Sequence, residues 1–279
     1  MIKKDILIST ELNGDNFKFF VYNPNTKSAY FDDIKITITK NSGYHIVNHP
    51  KLDLISLKIK PSALQQIEMK RQEALKMGVL LSNDDDWVKA KIKWGSDKEI
   101  GKIRLKGDWT DHLMGEKRSY RINISKGKKL NGFTKFSIQN PISRHYLEEW
   151  FAHRVLTNQN VLTTEYSFIN LKINNEVKGI YSFEEHFTDI LLNSQERENG
   201  VILKFNENPM WVYRSTRSNR KKPGPDWFHS AEIVAFGMGS IMNNQKKKKE
   251  FLEGRDLLYQ FQFKNTSPES LFDIGKMAR

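Results

Sequence analysis

The chain has 279 residues and a formal net charge of +12, from 45 Lys and Arg against 33 Asp and Glu. Hydrophobic residues at 38% and aromatics at 11% supply a core and exclude an intrinsically disordered chain. The absence of cysteine excludes disulfides, thiolate zinc sites and cysteine nucleophiles.

The positive balance favours anionic partners such as nucleotide phosphates, nucleic acid, an anionic membrane surface or acidic protein, without choosing among them. No run reaches the roughly 18 apolar residues of a membrane span. The opening Met-Ile-Lys-Lys-Asp-Ile-Leu-Ile lacks the apolar stretch of a signal peptide, and the compartment stays open.

In chain order, Phe17 to Tyr22, Ile34 to Lys40 and Leu52 to Ile59 read as strands of a small β-rich domain over residues 1–60. Pro61 opens a helix that runs to Met77, and Gly78 is its natural stop. The run Asn83-Asp84-Asp85-Asp86 is a solvated loop with turn signals or, as the sharper alternative, a cation site. Val88, Ala90, Ile92 and Trp94 alternate with Lys89, Lys91 and Lys93, and after a turn at Gly95 the pattern continues through Gly101, Ile103 and Leu105. These two strands present five or six cations on a common side if their register permits.

Ser119 to Ile124 and Phe133 to Ile138 are further strands. Ser143 is a candidate cap for a helix to Asn158 whose apolar stripe is Leu147, Trp150, Phe151 and Val155. Asn174-Asn175-Glu176 joins two strands, Ser167 to Ile173 and Gly179 to Phe183, as a hairpin. A helix is expected from Glu184 to Asn193, then a strand from Val201 to Phe205. Residues 206–230 read as loop, with Arg214, Arg217, Arg220, Lys221 and Lys222 among Trp211, Tyr213 and Trp227. Helices are expected over Ser230 to Met242, from the Lys246 to Lys249 run to Tyr259, and after the start signal Thr266-Ser267-Pro268-Glu269.

Three constellations could carry chemistry. Arg104 to His112, followed by Lys117-Arg118-Ser-Tyr-Arg121, puts a glycine turn between two cation-bearing strands. That arrangement can cradle phosphates through backbone N–H groups at Gly107 and through Lys or Arg, and it is equally an ordinary hairpin with solvated cations. Glu148 and Glu149 open a helix, where one of them could orient a strand lysine as in phosphoryl transfer, or both could face water. The third is Gly179-Ile-Tyr-Ser-Phe-Glu-Glu-His186, a strand that could offer edge groups to a base.

These residues, in this order, resemble the CotH family, named for the bacterial spore coat protein kinase. The pieces are Arg104-Leu-Lys-Gly107-Asp108, Lys117-Arg118-Ser119-Tyr120-Arg121-Ile122, Phe136-Ser137-Ile138-Gln139-Asn140-Pro141 with Arg144, Phe168 to Gly179, and Tyr181-Ser-Phe-Glu184-Glu185. The resemblance implies an α+β, protein-kinase-like fold of the atypical, secretory-kinase type. Residues 61–205 would form a nucleotide-facing lobe and 206–279 the basic loop and start of an incomplete helical C-terminal lobe. It implies ATP with Mg²⁺ or Mn²⁺ as cofactors and transfer of phosphate to a protein Ser or Thr, or another acceptor.

Under the resemblance, Arg104 and Gly107 shape a phosphate loop, Lys117 and Arg121 are candidates for contacting phosphate, and Glu148 or Glu149 is the orienting acid. Tyr181 to Glu185, with Glu184 and Glu185 at its end, forms or flanks an adenine-side hinge. Which of Lys117, Arg118 and Arg121 reaches the phosphates stays open, and no catalytic or metal-binding residue is assigned. The family's catalytic and metal-binding aspartates are expected after a helix like Ser270 to Met277, and no matching loop precedes Arg279; Asp273 is a poor substitute. The chain is therefore expected to stop short of them and to be inactive by itself. The alternative is a non-catalytic binding protein that recognises anionic partners through its basic surface. Nucleic acid is not favoured, because no RRM, KH or zinc-finger pattern supports it. Members of the family are often spore-coat or exported proteins.

Overall fold

The computed structural model describes residues 51–216, 224–263 and 266–277. The strands expected before residue 51, and Arg217, Arg220, Lys221 and Lys222, lie outside the described residues.

Seven strands close into a barrel: β1 (Leu54–Ile59), β2 (Val88–Trp94), β3 (Asp97–Leu105), β4 (Tyr120–Ile124), β5 (Lys135–Gln139), β6 (Tyr166–Ile173) and β7 (Glu176–Glu185). The order around the barrel is β1-β2-β3-β4-β5-β7-β6, and only the closing pair, β1 with β6, is parallel. This corrects the expected protein-kinase-like α+β fold. The reason is β1, which the sequence reading grouped with residues 1–60. It pairs with β2 on one side and β6 on the other, so the sheet has no open edges and wraps on itself.

The closure is held by Asn174 in the β6–β7 turn. Its side-chain amide takes Ile59 N–H and gives to Ile59 C=O, each at 2.8 Å. Asn174 and Asn175 both have positive φ, +48° and +73°, as a two-residue hairpin turn requires.

Alternation along the strands fills the barrel. Ile55, Leu57, Ile92, Ile103, Ile122, Phe136, Ile138, Leu171 and Phe183 are all at most 2% exposed. At one end Trp94 meets Phe183 at 5.0 Å and Phe133 meets Phe183 at 4.9 Å between ring centres. The outward partners on β1, β2 and the start of β3 are exposed, mostly lysine, whereas those on β4, β5 and β7 are largely covered.

Helix α1 (Pro61–Met77) buries Ile67 and Ala74 against the barrel. Pro61 fits its first turn, and Gly78, at φ +82°, ends it by donating its N–H to Ala74 O. The Asp84–Asp86 run is a single 3-10 turn: Asn83 and Asp86 form a capping box, which is the turn reading of that segment.

Helix α2 (Glu148–Asn158) buries none of its residues, and Leu147, Phe151 and Val155 of the apolar stripe are exposed. Asn140 rather than Ser143 accepts the capping bond, and it caps the 3-10 turn Pro141–Arg144 ahead of the helix.

Beyond the barrel, α3 (Asp189–Ser194) starts later than expected because Glu184 and Glu185 extend β7. Next come β8 (Leu203–Phe205), α4 (Asn208–Ser215), α5 (Trp227–Ser230) and β9 (Ile233–Ala235). Helix α4 occupies part of the expected loop. Pairing with β8 draws Ile233–Ala235 into a strand, so the helix expected from Ser230 shrinks to α6 (Met238–Met242). Helix α7 (Gln245–Gln262) is the longest, and α8 (Ile274–Met277) is one turn preceded by a 3-10 turn at Pro268–Ser270.

Phe183 touches three aromatic neighbours in the barrel interior, Trp94, Phe133 and Phe136. Phe183→Ala is expected to lower unfolding free energy by about 3–5 kcal/mol, the usual loss for a buried phenylalanine. Denaturant titration checks it; a loss well under 1 kcal/mol would mean the cluster contributes little.

Candidate functional site

The barrel register sets a row of polar groups across its outer surface. Arg104 on β3 is the ladder partner of Arg121 on β4, Arg121 of Ser137 on β5, and Ser137 of Glu184 on β7. Glu184 in turn opposes Tyr166 on β6. Flanking this row are Lys106 just past β3 and Gln139 and Ser182 on one side, with Lys135 and His186 on the other. Period-two alternation sends Leu105, Ile122, Ile138 and Phe183 inward and these polar neighbours outward.

The outward groups are nonetheless covered: Ser137 is 1% exposed, and Gln139 and Ser182 are fully buried. Lys204 of β8 stands over the Phe236 ring at 5.0 Å, and that ring meets His186 at 5.4 Å. Trp211 of α4 meets Trp109 edge-on at 5.0 Å.

At the centre Lys106 donates to Glu184 in a buried ion pair, and Gln139 Nε2 donates to the same carboxylate oxygen at 2.7 Å. Burial alone would raise the Glu184 pKa; Lys106, Arg121 and Arg144 outweigh it and hold the carboxyl below its ordinary range. Burial lowers Lys106 and Arg121; repulsion from Arg121 adds to the effect at Lys106, and repulsion from Arg104 adds to it at Arg121. Lys135 is pushed down to about 8 by burial and by Arg121, Arg104 and Lys204. Arg121 gives a hydrogen bond to His186 Nδ1. A guanidinium can only donate, so His186 accepts and is neutral, and burial and the surrounding cations hold its pKa far below the ordinary value.

Other carboxyls flank the group: Asp84, Asp86 and Asp108 face Arg104, Glu149 pairs with Arg144, and the Asp108 pKa is raised by burial and then by Glu207. Ser137 Oγ, Gln139 Oε1 and Arg104 Nε are buried without a hydrogen-bond partner. The orphaned donors among these, Arg104 Nε–H and the Ser137 hydroxyl, are groups that an anionic ligand can satisfy, whereas the Gln139 carbonyl needs a donor.

Gly107 follows Lys106 at φ +106°. A Cβ there would lie 2.4 Å from the His112 ring, so glycine is required for His112 to pack beneath the turn. His112 shares a 2.9 Å hydrogen bond with Ser119 Oγ, which also accepts from Asn140 N–H. Burial lowers the His112 pKa to about 4, so it is a neutral, structural histidine at neutral pH.

Of the residues singled out from sequence, the structure brings Arg104, Gly107, Arg121 and Glu184 to this face. Glu149 borders it through a 3.2 Å ion pair with Arg144. Glu148 is exposed and pairs with His145 at 2.8 Å. Lys117 lies over the Tyr181 ring at 5.6 Å and donates to Ile180 O; it makes no contact with the Lys106–Glu184 group. Tyr181 and Glu185 point inward, 1% and 5% exposed, so only Ser182 and Glu184 of the expected hinge segment face the site.

Lys106, Lys135 and Gln139 were not selected from sequence. The signal that could have found them is polar alternation inside strands whose other residues are strictly apolar, as in Lys135-Phe-Ser-Ile-Gln139. Among the described residues no three His, Asp or Glu side chains converge as metal ligands. No helix among the described residues is long and apolar enough to cross a membrane.

Among curated proteins none matches the chain. The family model described as CotH kinase protein matches residues 103–265, more than half of the chain, and that span contains the whole polar row from Arg104 to Glu184. The chain therefore belongs to the CotH kinase family.

Proposed function

We propose that this chain binds a nucleoside triphosphate, ATP in the first instance, on the polar outer face of β3, β4, β5 and β7, as part of a phosphotransferase acting on a protein Ser or Thr. The observation that carries this reading is the convergence of Lys106, Arg121 and Arg144 on the Glu184 carboxylate, with Arg104 and Lys135 beside Arg121. Phosphoryl transfer is served almost entirely by positioning and charge stabilisation. A preformed, partly dehydrated cation cluster supplies both without reorganising at the moment of reaction.

In this reading Glu184 holds Lys106 in place from the neighbouring strand, a lysine–glutamate pair built within one sheet. Lys106, Arg104 and Arg121 take the phosphate oxygens, and Lys135 adds charge. The buried Ser137 hydroxyl and Gln139 carbonyl are the remaining groups available to a ligand. Family membership supports a kinase-like activity in general terms. No step is assigned to a metal ion.

The test is direct. ATP is expected to raise the melting midpoint of the chain, and Lys106→Met is expected to weaken ATP binding about tenfold to a hundredfold, the range for one charge-assisted hydrogen bond. The variant's own midpoint without nucleotide shows whether it is folded. No ATP-dependent shift in the wild-type chain, or an unchanged shift in folded Lys106→Met, would overturn the proposal.

Lys135 gives a pH signature. Its pKa is lowered to about 8 from the ordinary lysine value, so it loses its proton as pH rises through 8. ATP affinity is expected to fall between pH 7 and pH 9, and Lys135→Met is expected to flatten that profile. Isothermal titration at the two pH values measures it; a wild-type affinity that is level or rising would contradict the assigned role.

A further inference from the structure

The barrel register aligns a ladder of cations on the outer surface of β1, β2 and β3. Lys58 on β1 is directly opposite Lys91 on β2, Lys89 is opposite Lys102 on β3, and Lys93 is opposite Lys98. All six are exposed. The ion pairs of the described residues leave all six out. Like charges directly opposite one another disfavour a strand pair, and an anionic partner lying over these three pairs would offset that repulsion.

The ladder is continuous with the proposed nucleotide face. Lys89 pairs with Lys102, Lys102 with Asn123, and Asn123 with Lys135, so one row of the sheet runs from the exposed lysines into the site. The next row begins with Arg104 over the Trp87 ring at 4.9 Å and continues to Arg121 and Glu184.

We infer that this face docks an extended, phosphorylated polypeptide tract, the product class of the reaction proposed above; the choice of occupant rests on that reading. Lys89, Lys91 and Lys93 alternate on one strand, so their side chains are separated by about 6.6–6.8 Å, twice the strand rise. An extended chain bearing phosphates at every second residue has the same repeat. Lysine meets phosphate as a mobile point charge and needs no fixed angle, which suits a tract of variable register. The outward positions of β1, β2 and β3 from Leu54 to Lys102 carry no aromatic ring, so the face lacks the stacking platform that single-stranded nucleic acid uses. A chain retained here after one transfer would present its neighbouring hydroxyls to the site again.

The experiment measures binding of a fluorescent synthetic peptide with phosphoserine at alternate positions, by anisotropy and without nucleotide, to the wild-type chain and to Lys89→Gln/Lys91→Gln/Lys93→Gln. The unphosphorylated peptide, duplex DNA and anionic vesicles serve as competing probes. The phosphopeptide is expected to bind in preference to all three, to weaken with added salt, and to lose about tenfold in affinity in the triple variant. The triple variant is expected to melt no lower than wild type, because it relieves repulsion.

Equal binding of phosphorylated and unphosphorylated peptide, tighter binding of DNA or vesicles, or unchanged affinity in the variant would overturn the inference. Should the variant not fold, a salt-independent wild-type affinity overturns it and a salt-sensitive one supports it. The ATP-dependent melting shift, read on the same samples, separates this result from the nucleotide proposal. A lost shift with peptide binding intact rejects the nucleotide site alone, and an intact shift with no peptide preference rejects the docking face alone.

Discussion

The ionised carboxylate of Glu184 is the point on which the covered side of the barrel depends. A buried charge is tolerated when it is paired and its remaining valences are used. Glu184 meets that condition through Lys106 and Gln139, with Arg121 close by. Removing the partner of a buried charge typically costs about 3–5 kcal/mol, whereas an apolar pair of similar size would serve stability as well or better. Stability alone therefore gives no reason to bury this group. What the group does contribute is to hold Lys106 beside Arg121 and Arg144, the arrangement on which the proposed nucleotide site rests.

Barrel closure makes the arrangement exact enough to use. Because β1 pairs on both sides and Asn174 clamps Ile59, each strand has a set neighbour and a set register. A slip of one residue would turn Arg104, Arg121, Ser137 and Glu184 inward and put leucine and isoleucine in their place. The apolar interior and the charged exterior thus enforce each other. His186 has a part in this too: as a neutral acceptor it fixes Arg121 without cancelling its charge.

Strand identity was largely legible, because Val88–Trp94 and its neighbours alternate cleanly and Pro61 and Gly78 bracket α1. The closed topology was not. The pairing of Leu57 with Ile173 joins segments far apart in sequence, and no local pattern announces it. Glu184 and Glu185 resembled the acidic first turn of a helix, yet they continue β7, where pairing with β5 outweighs propensity. The stripe on α2 was read as apolar, and its exposure could not be read, since period tells which residues share a face and not what lies against it. In the site, the arginines and glutamates drew notice by charge, while Lys135 and Gln139 looked like ordinary wet positions of a strand. What distinguishes them is their burial, complete for Gln139 and strong enough at Lys135 to lower its pKa, which is a tertiary fact.

A sheet closed on itself also limits how the molecule can meet other chains. Many proteins capture extended peptides by adding them as an extra strand, with main-chain hydrogen bonds supplying affinity whatever the sequence. The barrel has every strand paired on both sides over part of its length, which leaves only short stretches such as Glu176–Tyr181 with one ladder partner. A polypeptide that lies along β1, β2 and β3 must be held mainly by side chains. Selectivity then depends on the charge spacing of the visiting segment, and a change in one of its modified residues registers fully, with no backbone zipper to mask it.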